Sequence, residues 1–175
     1  KQYSREKLQG DIENLESYYL DRGYLQFSIE SSQVSISRNR ENIYITYILS
    51  EGPQYRINNV RVVGDLPLDE QVVDPIVSTQ KDVIYSQAQI TQIEEIFTSL
   101  LGNEGYAFAS VAGQPQIDEI SRQVDLSFVV DPGKRTYARK ILFEGNQITQ
   151  DDVLRREMRQ FEGAWASDNK IEQSR

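Results

Sequence analysis

The 175 residues include no cysteine and no histidine. Disulfides are therefore excluded, and so are zinc sites with Cys or His ligands. Nucleophile–imidazole triads lack their base. No GxxxxGK or GxGxxG loop is present to cradle a phosphate. Long apolar runs are missing too, and none approaches the roughly 18 residues that a membrane helix needs. The opening Lys1-Gln2-Tyr3-Ser4-Arg5 has neither an initiating Met nor an apolar stretch behind it. An excised or mature fragment is expected from this.

What is there describes a folded chain. Apolar residues make up 38% and charged residues 26%, and ten Tyr and six Phe are enough to build cores. The net charge of −8 is uneven. Residues 1–52 carry −2, residues 53–133 carry −8 and residues 134–175 carry +2. An acidic middle argues against a nucleic-acid groove, which needs a basic face. The pairs Asp69-Glu70, Glu94-Glu95 and Asp151-Asp152 are neighbours in sequence, so on helices they splay apart instead of converging. A glycosidase pair drawn from distant carboxylates stays open. The expectation is a non-enzymatic binding module with no cofactor and no metal.

The most informative feature is internal repetition. Tyr18-Tyr19-Leu20-Asp21-Arg22-Gly23-Tyr24 is matched by Leu100-Leu101-Gly102-Asn103-Glu104-Gly105-Tyr106, 82 positions on. Ile43, Ile45 and Ile48 match Val124, Leu126 and Val129, 81 positions on. Glu51-Gly52-Pro53-Gln54-Tyr55 is echoed by Pro132-Gly133-Lys134-Arg135-Thr136-Tyr137, and Val60-Arg61-Val62-Val63-Gly64 by Ile141-Leu142-Phe143-Glu144-Gly145. One unit of about 81 residues recurs in the same order.

The middle unit, 53–133, can be followed whole. Residues 54–63 alternate as a first strand. A short helix over Leu68–Val77 is interrupted by Pro75. Ser86-Gln87-Ala88-Gln89 matches a capping box, and Ile90, Ile93, Phe97, Leu100 and Leu101 then share one helical face. Gly105 supplies a left-handed cap. Strands over 106–117 and around Val124, Leu126, Phe128 and Val130 complete the order β-α-α-β-β. Residues 1–52 show only the back of such a unit: a helix with Leu8, Ile12, Leu15 and Tyr19 on one face, then strands at 24–36 and 43–50 around an Arg38–Asn42 turn. Residues 134–175 show only a front: a strand at 137–143, a helix over 149–162 with Leu154, Met158 and Phe161 on one face, and a cap at Ser167. Trp165 is expected to pack between the last two helices. The joints Glu51-Gly52-Pro53 and Asp131-Pro132-Gly133 are too short for free tumbling, so semi-rigid beads bending at these points are expected.

This pattern resembles the POTRA (polypeptide-transport-associated) family. Two runs, Ser17–Tyr24 and the thirteen-residue Val153–Trp165, are similar to the POTRA repeats of BamA-type outer-membrane β-barrel assembly factors. The resemblance spans the chain, as the back of a third, all of a fourth and the front of a fifth module. It implies an α+β fold of tandem modules, each with two helices on a three-stranded mixed sheet. It also implies a periplasmic scaffold that inserts outer-membrane proteins without nucleotide, reaching the membrane only through a C-terminal barrel absent from this chain. Readings left beside it are the POTRA arm of a TamA-like or two-partner-secretion transporter, and a soluble periplasmic peptide-binding chaperone.

The resemblance also implies partners. Glu30, Val34 and Ile36, on the strand at 24–36, match positions that receive a BamB-like lipoprotein. Arg155, Arg159 and Glu162 match positions that meet a BamD-like lipoprotein through salt bridges. Unfolded outer-membrane proteins are the implied clients, added as extra strands. Residue chemistry favours the same edge. The strand at 24–36 has neither Pro nor Gly, whereas 106–117 holds Gly113 and Pro115, which blunt an edge. A parity shift from Leu25, Phe27 and Ile29 to Val34 and Ile36 predicts a bulge near Ser31-Ser32. Without the resemblance, Val34 and Ile36 read first as sheet core, and the charged residues as a solvated helix face.

Overall fold

The computed structural model describes residues 5–38 and 42–174. Ten elements follow in order: α1 (Arg5–Leu20), β1 (Ser28–Ile36), β2 (Ile43–Ser50), β3 (Arg56–Gly64), α2 (Glu70–Ser78), α3 (Gln87–Asn103), β4 (Ser110–Asp118), β5 (Gln123–Asp131), α4 (Asp151–Glu157) and α5 (Asp168–Glu172). The fold is α+β. β1 and β2 form a two-stranded antiparallel sheet, and the other strands form a three-stranded mixed sheet ordered β3-β5-β4. From β3 to β5 the chain runs β-α-α-β-β, as the apolar periodicities predicted.

The chain forms two compact units. The first takes in Lys1–Val60, Gln80–Thr91 and Pro115–Leu126; the second takes in Arg61–Thr79, Gln92–Gln114 and Ser127–Arg175. In the first unit Tyr55, Ile57, Tyr85, Ile90, Val124 and Leu126 are buried. In the second the buried set is Val73 of α2, Ile93, Phe97 and Leu101 of α3, and Phe128 and Val130 of β5. Phe97 meets Phe128 edge to face, with ring centroids 5.7 Å apart. In the second unit the apolar stripe of α3 therefore packs on β5, the central strand. Its alternate residues from Val124 to Val130 point to one face of the sheet and are buried there.

Local chemistry sets the element ends. The Asp69 carboxylate accepts from the Gln71 N–H at 3.0 Å and opens α2. Pro75, expected to interrupt that helix, lies at its sixth position without ending it. The Ser86 hydroxyl accepts from the Gln89 N–H at 3.4 Å, as the capping box predicted. Gly64 closes β3 at φ +110°, and a Cβ there would run into the Val130 carbonyl oxygen. No helix among the described residues is long and apolar enough to cross a membrane.

Candidate functional site

β1 is paired on one side only. It meets β2 in an antiparallel ladder, and the described residues contain no strand on its other side. The hairpin closes where the Ser37 N–H donates to the Asn42 carbonyl at 2.9 Å and the Asn42 N–H to the Ser37 hydroxyl at 3.0 Å. Asn39, Arg40 and Glu41 of the anticipated turn lie outside the described residues. Ile29 opposes Leu49, but the next pair is Ser31 with Ile48, so Glu30 is the extra residue. The bulge thus falls one residue before the Ser31-Ser32 expected from sequence. The apolar parity can change anywhere between Ile29 and Val34, and pattern alone does not choose among those positions.

Beyond the bulge, Val34 opposes Ile45 and Ile36 opposes Ile43. These four side chains stand on one face and all are exposed, Ile36 by 64%. They are not core. The predicted site residues Glu30, Val34 and Ile36 therefore share one exposed strand, with the bulge at its start.

The edge of β4 is different. Pro115 offers no donor, and the Gly113 N–H donates to the Glu94 carboxylate of α3 at 2.5 Å. The sequence marks Gly113 and Pro115. It does not mark Glu94, because a capture across 19 residues leaves no local pattern.

The second predicted surface is rearranged. α4 ends at Glu157, and Met158 has an extended backbone at ψ 137°, so the helix expected over 149–162 is half that length. Arg155 and Arg159 do not share a helical face. Phe161, expected on the apolar stripe, is 64% exposed. The reason is tertiary. The buried Gln160 side chain donates to the Phe161 and Trp165 carbonyls, each at 3.1 Å, and accepts from the Ser167 N–H at 3.0 Å. The Ser174 hydroxyl accepts from the Arg159 and Gln160 N–H groups at 2.9 and 3.2 Å. Side chains take the groups that helical carbonyls would have used.

The chain then folds back, and Glu162 meets Arg155. Their Oε1 and Nη1 lie 2.8 Å apart. The same Glu162 oxygen accepts from the Ile141 N–H at 2.8 Å, and Arg155 Nη2 donates to the Ile141 carbonyl at 2.8 Å. The pair thus clasps both polar backbone groups of one residue, as a neighbouring strand would. The Ile141 N–H first, and the Arg155 guanidinium second, hold the Glu162 carboxyl below its ordinary value. The strand expected at 137–143 is reduced to one bridge, Tyr137 to Trp165. Trp165 is 39% exposed, lies against Gly105 and faces the Arg135 guanidinium at 5.1 Å, and so is not wedged between helices. Arg159 is exposed, and its side chain takes no part in the clasp.

The model of the POTRA family, described as a surface antigen variable number repeat, matches residues 1–52, 55–133 and 136–175. The chain belongs to the POTRA family. It is 33% identical over 170 residues to the outer membrane protein assembly factor BamA of Buchnera aphidicola, covering 97% of this chain and 28% of that protein. It is 26% identical over 175 residues to the BamA of Neisseria meningitidis, covering 99% of this chain and 22% of that one. This POTRA chain thus spans about a quarter of the curated relatives it matches. Among solved structures, a crystal structure of Haemophilus influenzae BamA POTRA3-5 matches with a TM-score of 0.78 at 28% identity, covering 99% of this chain and 69% of that one. POTRA domains of this kind are the periplasmic part of an outer-membrane protein.

Proposed function

We propose that this POTRA segment is a non-catalytic scaffold of the outer-membrane protein insertion machinery, and that it receives extended polypeptides along the free edge of β1. On this reading residues 1–52, 53–133 and 134–175 are the back of one module, a whole module and the front of a third. One observation carries the proposal: of the two candidate edges, the outer edge of β1 has no neighbouring strand among the described residues and is free of Pro and Gly, whereas β4 is blocked by Pro115 and by the Glu94 capture of Gly113. An open edge offers backbone hydrogen bonds to almost any extended chain. Such tolerance suits a BamB-like lipoprotein and unfolded barrel strands alike.

The second surface takes a BamD-like lipoprotein around 155–162. Here Arg155 and Glu162 satisfy one another and Ile141, so their part is to hold the surface in shape. Arg159 is the charge left to meet an acidic partner group.

Val34→Pro and Val34→Thr separate edge pairing from face packing. Proline removes a backbone donor, whereas threonine keeps the backbone and trims apolar surface. Titration with a BamB-type lipoprotein is expected to show binding lost in Val34→Pro and kept in Val34→Thr, with the melting of residues 53–133 unchanged in both. Undiminished binding by Val34→Pro removes the assignment.

A further inference from the structure

The two places where one repeat gives way to the next are built alike, atom for atom, although their side chains differ. At the first, the Gly23 carbonyl accepts from the Tyr55 N–H at 2.8 Å; at the second, the Gly105 carbonyl accepts from the Thr136 N–H, also at 2.8 Å. Both glycines have positive φ, +87° and +95°, which ends the preceding helix and turns the carbonyl toward the chain that follows. The Tyr85 N–H donates to the Tyr55 carbonyl at 3.2 Å, and the Ala166 N–H to the Thr136 carbonyl at 2.8 Å. Single bridges lie next to these contacts, Arg56 to Ile84 and Tyr137 to Trp165. Each glycine is pressed by the second member of its bridge. A Cβ on Gly23 would sit 2.9 Å from Ile84 Cγ2, and one on Gly105 would sit 2.7 Å from Trp165 Cβ.

The last shared contact is a helix cap given across the joint. A helix start leaves four N–H groups without intrahelical partners. In α3 the Ser86 hydroxyl takes one, and Asp21 Oδ1, from the end of the preceding repeat, accepts the Ala88 N–H at 2.8 Å. In α5 the Ser167 hydroxyl takes one, and Asn103 Oδ1 accepts the Asn169 N–H at 3.0 Å. Tyr55 and Thr136, Tyr85 and Ala166, and Ala88 and Asn169 differ in side chain, but they contribute backbone atoms. Two features recur in kind: an Asx, and a glycine two residues later, in Asp21-Arg22-Gly23 and Asn103-Glu104-Gly105.

We infer that Asx-x-Gly at the close of each repeat's second helix is a coupling key, which docks the front of the next repeat and caps its second helix from outside. Because Asp and Asn both serve, the acceptor oxygen matters and the charge does not. Each joint is therefore a fitted contact, and a module cannot swing on its neighbour without uncapping a helix. This goes beyond partner binding at β1 and does not depend on it.

The absence of cysteine makes the test clean, since introduced pairs alone carry spin labels. Exposed Glu16 and Lys81 report on the first joint, and Ser99 and Glu172 on the second. In the whole chain without any partner, both distance distributions are expected to be narrow. Asp21→Ala is expected to broaden the first pair alone and to speed exchange of the Ala88 amide about five- to tenfold, the loss of one hydrogen bond. Asn103→Ala is expected to broaden the second pair alone. Asp21→Asn and Asn103→Asp are expected to leave both pairs narrow. Should Asp21→Ala lose helicity by circular dichroism, the Asn103→Ala pair decides. Narrow distributions in the alanine variants overturn the inference, as does broadening by Asp21→Asn equal to that by Asp21→Ala.

Discussion

Glu162 shows how a charged side chain can shape a surface by holding backbone groups. Its carboxylate is held by the Ile141 N–H and by Arg155, and its pKa falls below the ordinary glutamate value of 4.5. A carboxylate with a depressed folded-state pKa contributes stability that is present above the unfolded value and is lost as pH falls through the folded one. Protection of the Ile141 amide against hydrogen exchange is therefore expected to hold at neutral pH and to decline below about pH 4.5. In Glu162→Gln that decline is expected to vanish and the protection to be weaker at neutral pH. A pH profile of Ile141 exchange identical in the two proteins counts against the clasp. Glu162→Lys places a cation beside Arg155 and is expected to impair attachment of a BamD-like partner through loss of shape. The types and spacing of Arg155, Arg159 and Glu162 were legible in the sequence. Their partners were not, because Ile141 contributes only backbone atoms, which are the same in every residue.

At the scale of elements, strands and caps were legible wherever a periodicity met a local signal. β5 alternates, α3 begins at a serine, and Gly105 ends the turn after it. Elements departed from expectation where a tertiary group outbid the helix. α4 stops at Glu157 because Ser174 and Gln160 bind the backbone around it. Gly64 marks a close approach that no hydropathy pattern reveals. At φ +110° a side chain is strained, and any Cβ meets the Val130 carbonyl. Gly64→Ala is expected to destabilise the module by about 1–3 kcal/mol, measured by urea denaturation. A loss below about 0.5 kcal/mol would show that β3 and β5 can move apart at that point.

For the whole molecule, repetition is the governing fact. In arrays, stability comes from each repeat and from its contacts with neighbours. Both joints engage the middle repeat, through Tyr55, Tyr85 and Ala88 at one and through Asn103 and Gly105 at the other. Phe128→Ala removes the ring that meets Phe97 and is expected to cost about 3–5 kcal/mol. Amide protection at Tyr55 and Thr136 is expected to fall with it. If Thr136 stays as protected as before, the repeats are energetically independent.

The sequence by itself determined the repeat, its β-α-α-β-β order, the family and the absence of Pro and Gly from β1. Each of these is written in side-chain type at short spacing, which periodicity and turn chemistry express directly. Tertiary structure decided the length of α4, the bulge at Glu30, the capture of Gly113 by Glu94, the clasp on Ile141 and the caps from Asp21 and Asn103. In most of these a side chain meets the backbone of a residue far along the chain. Backbone groups carry no residue identity, so only folding reveals which of them a given side chain will reach.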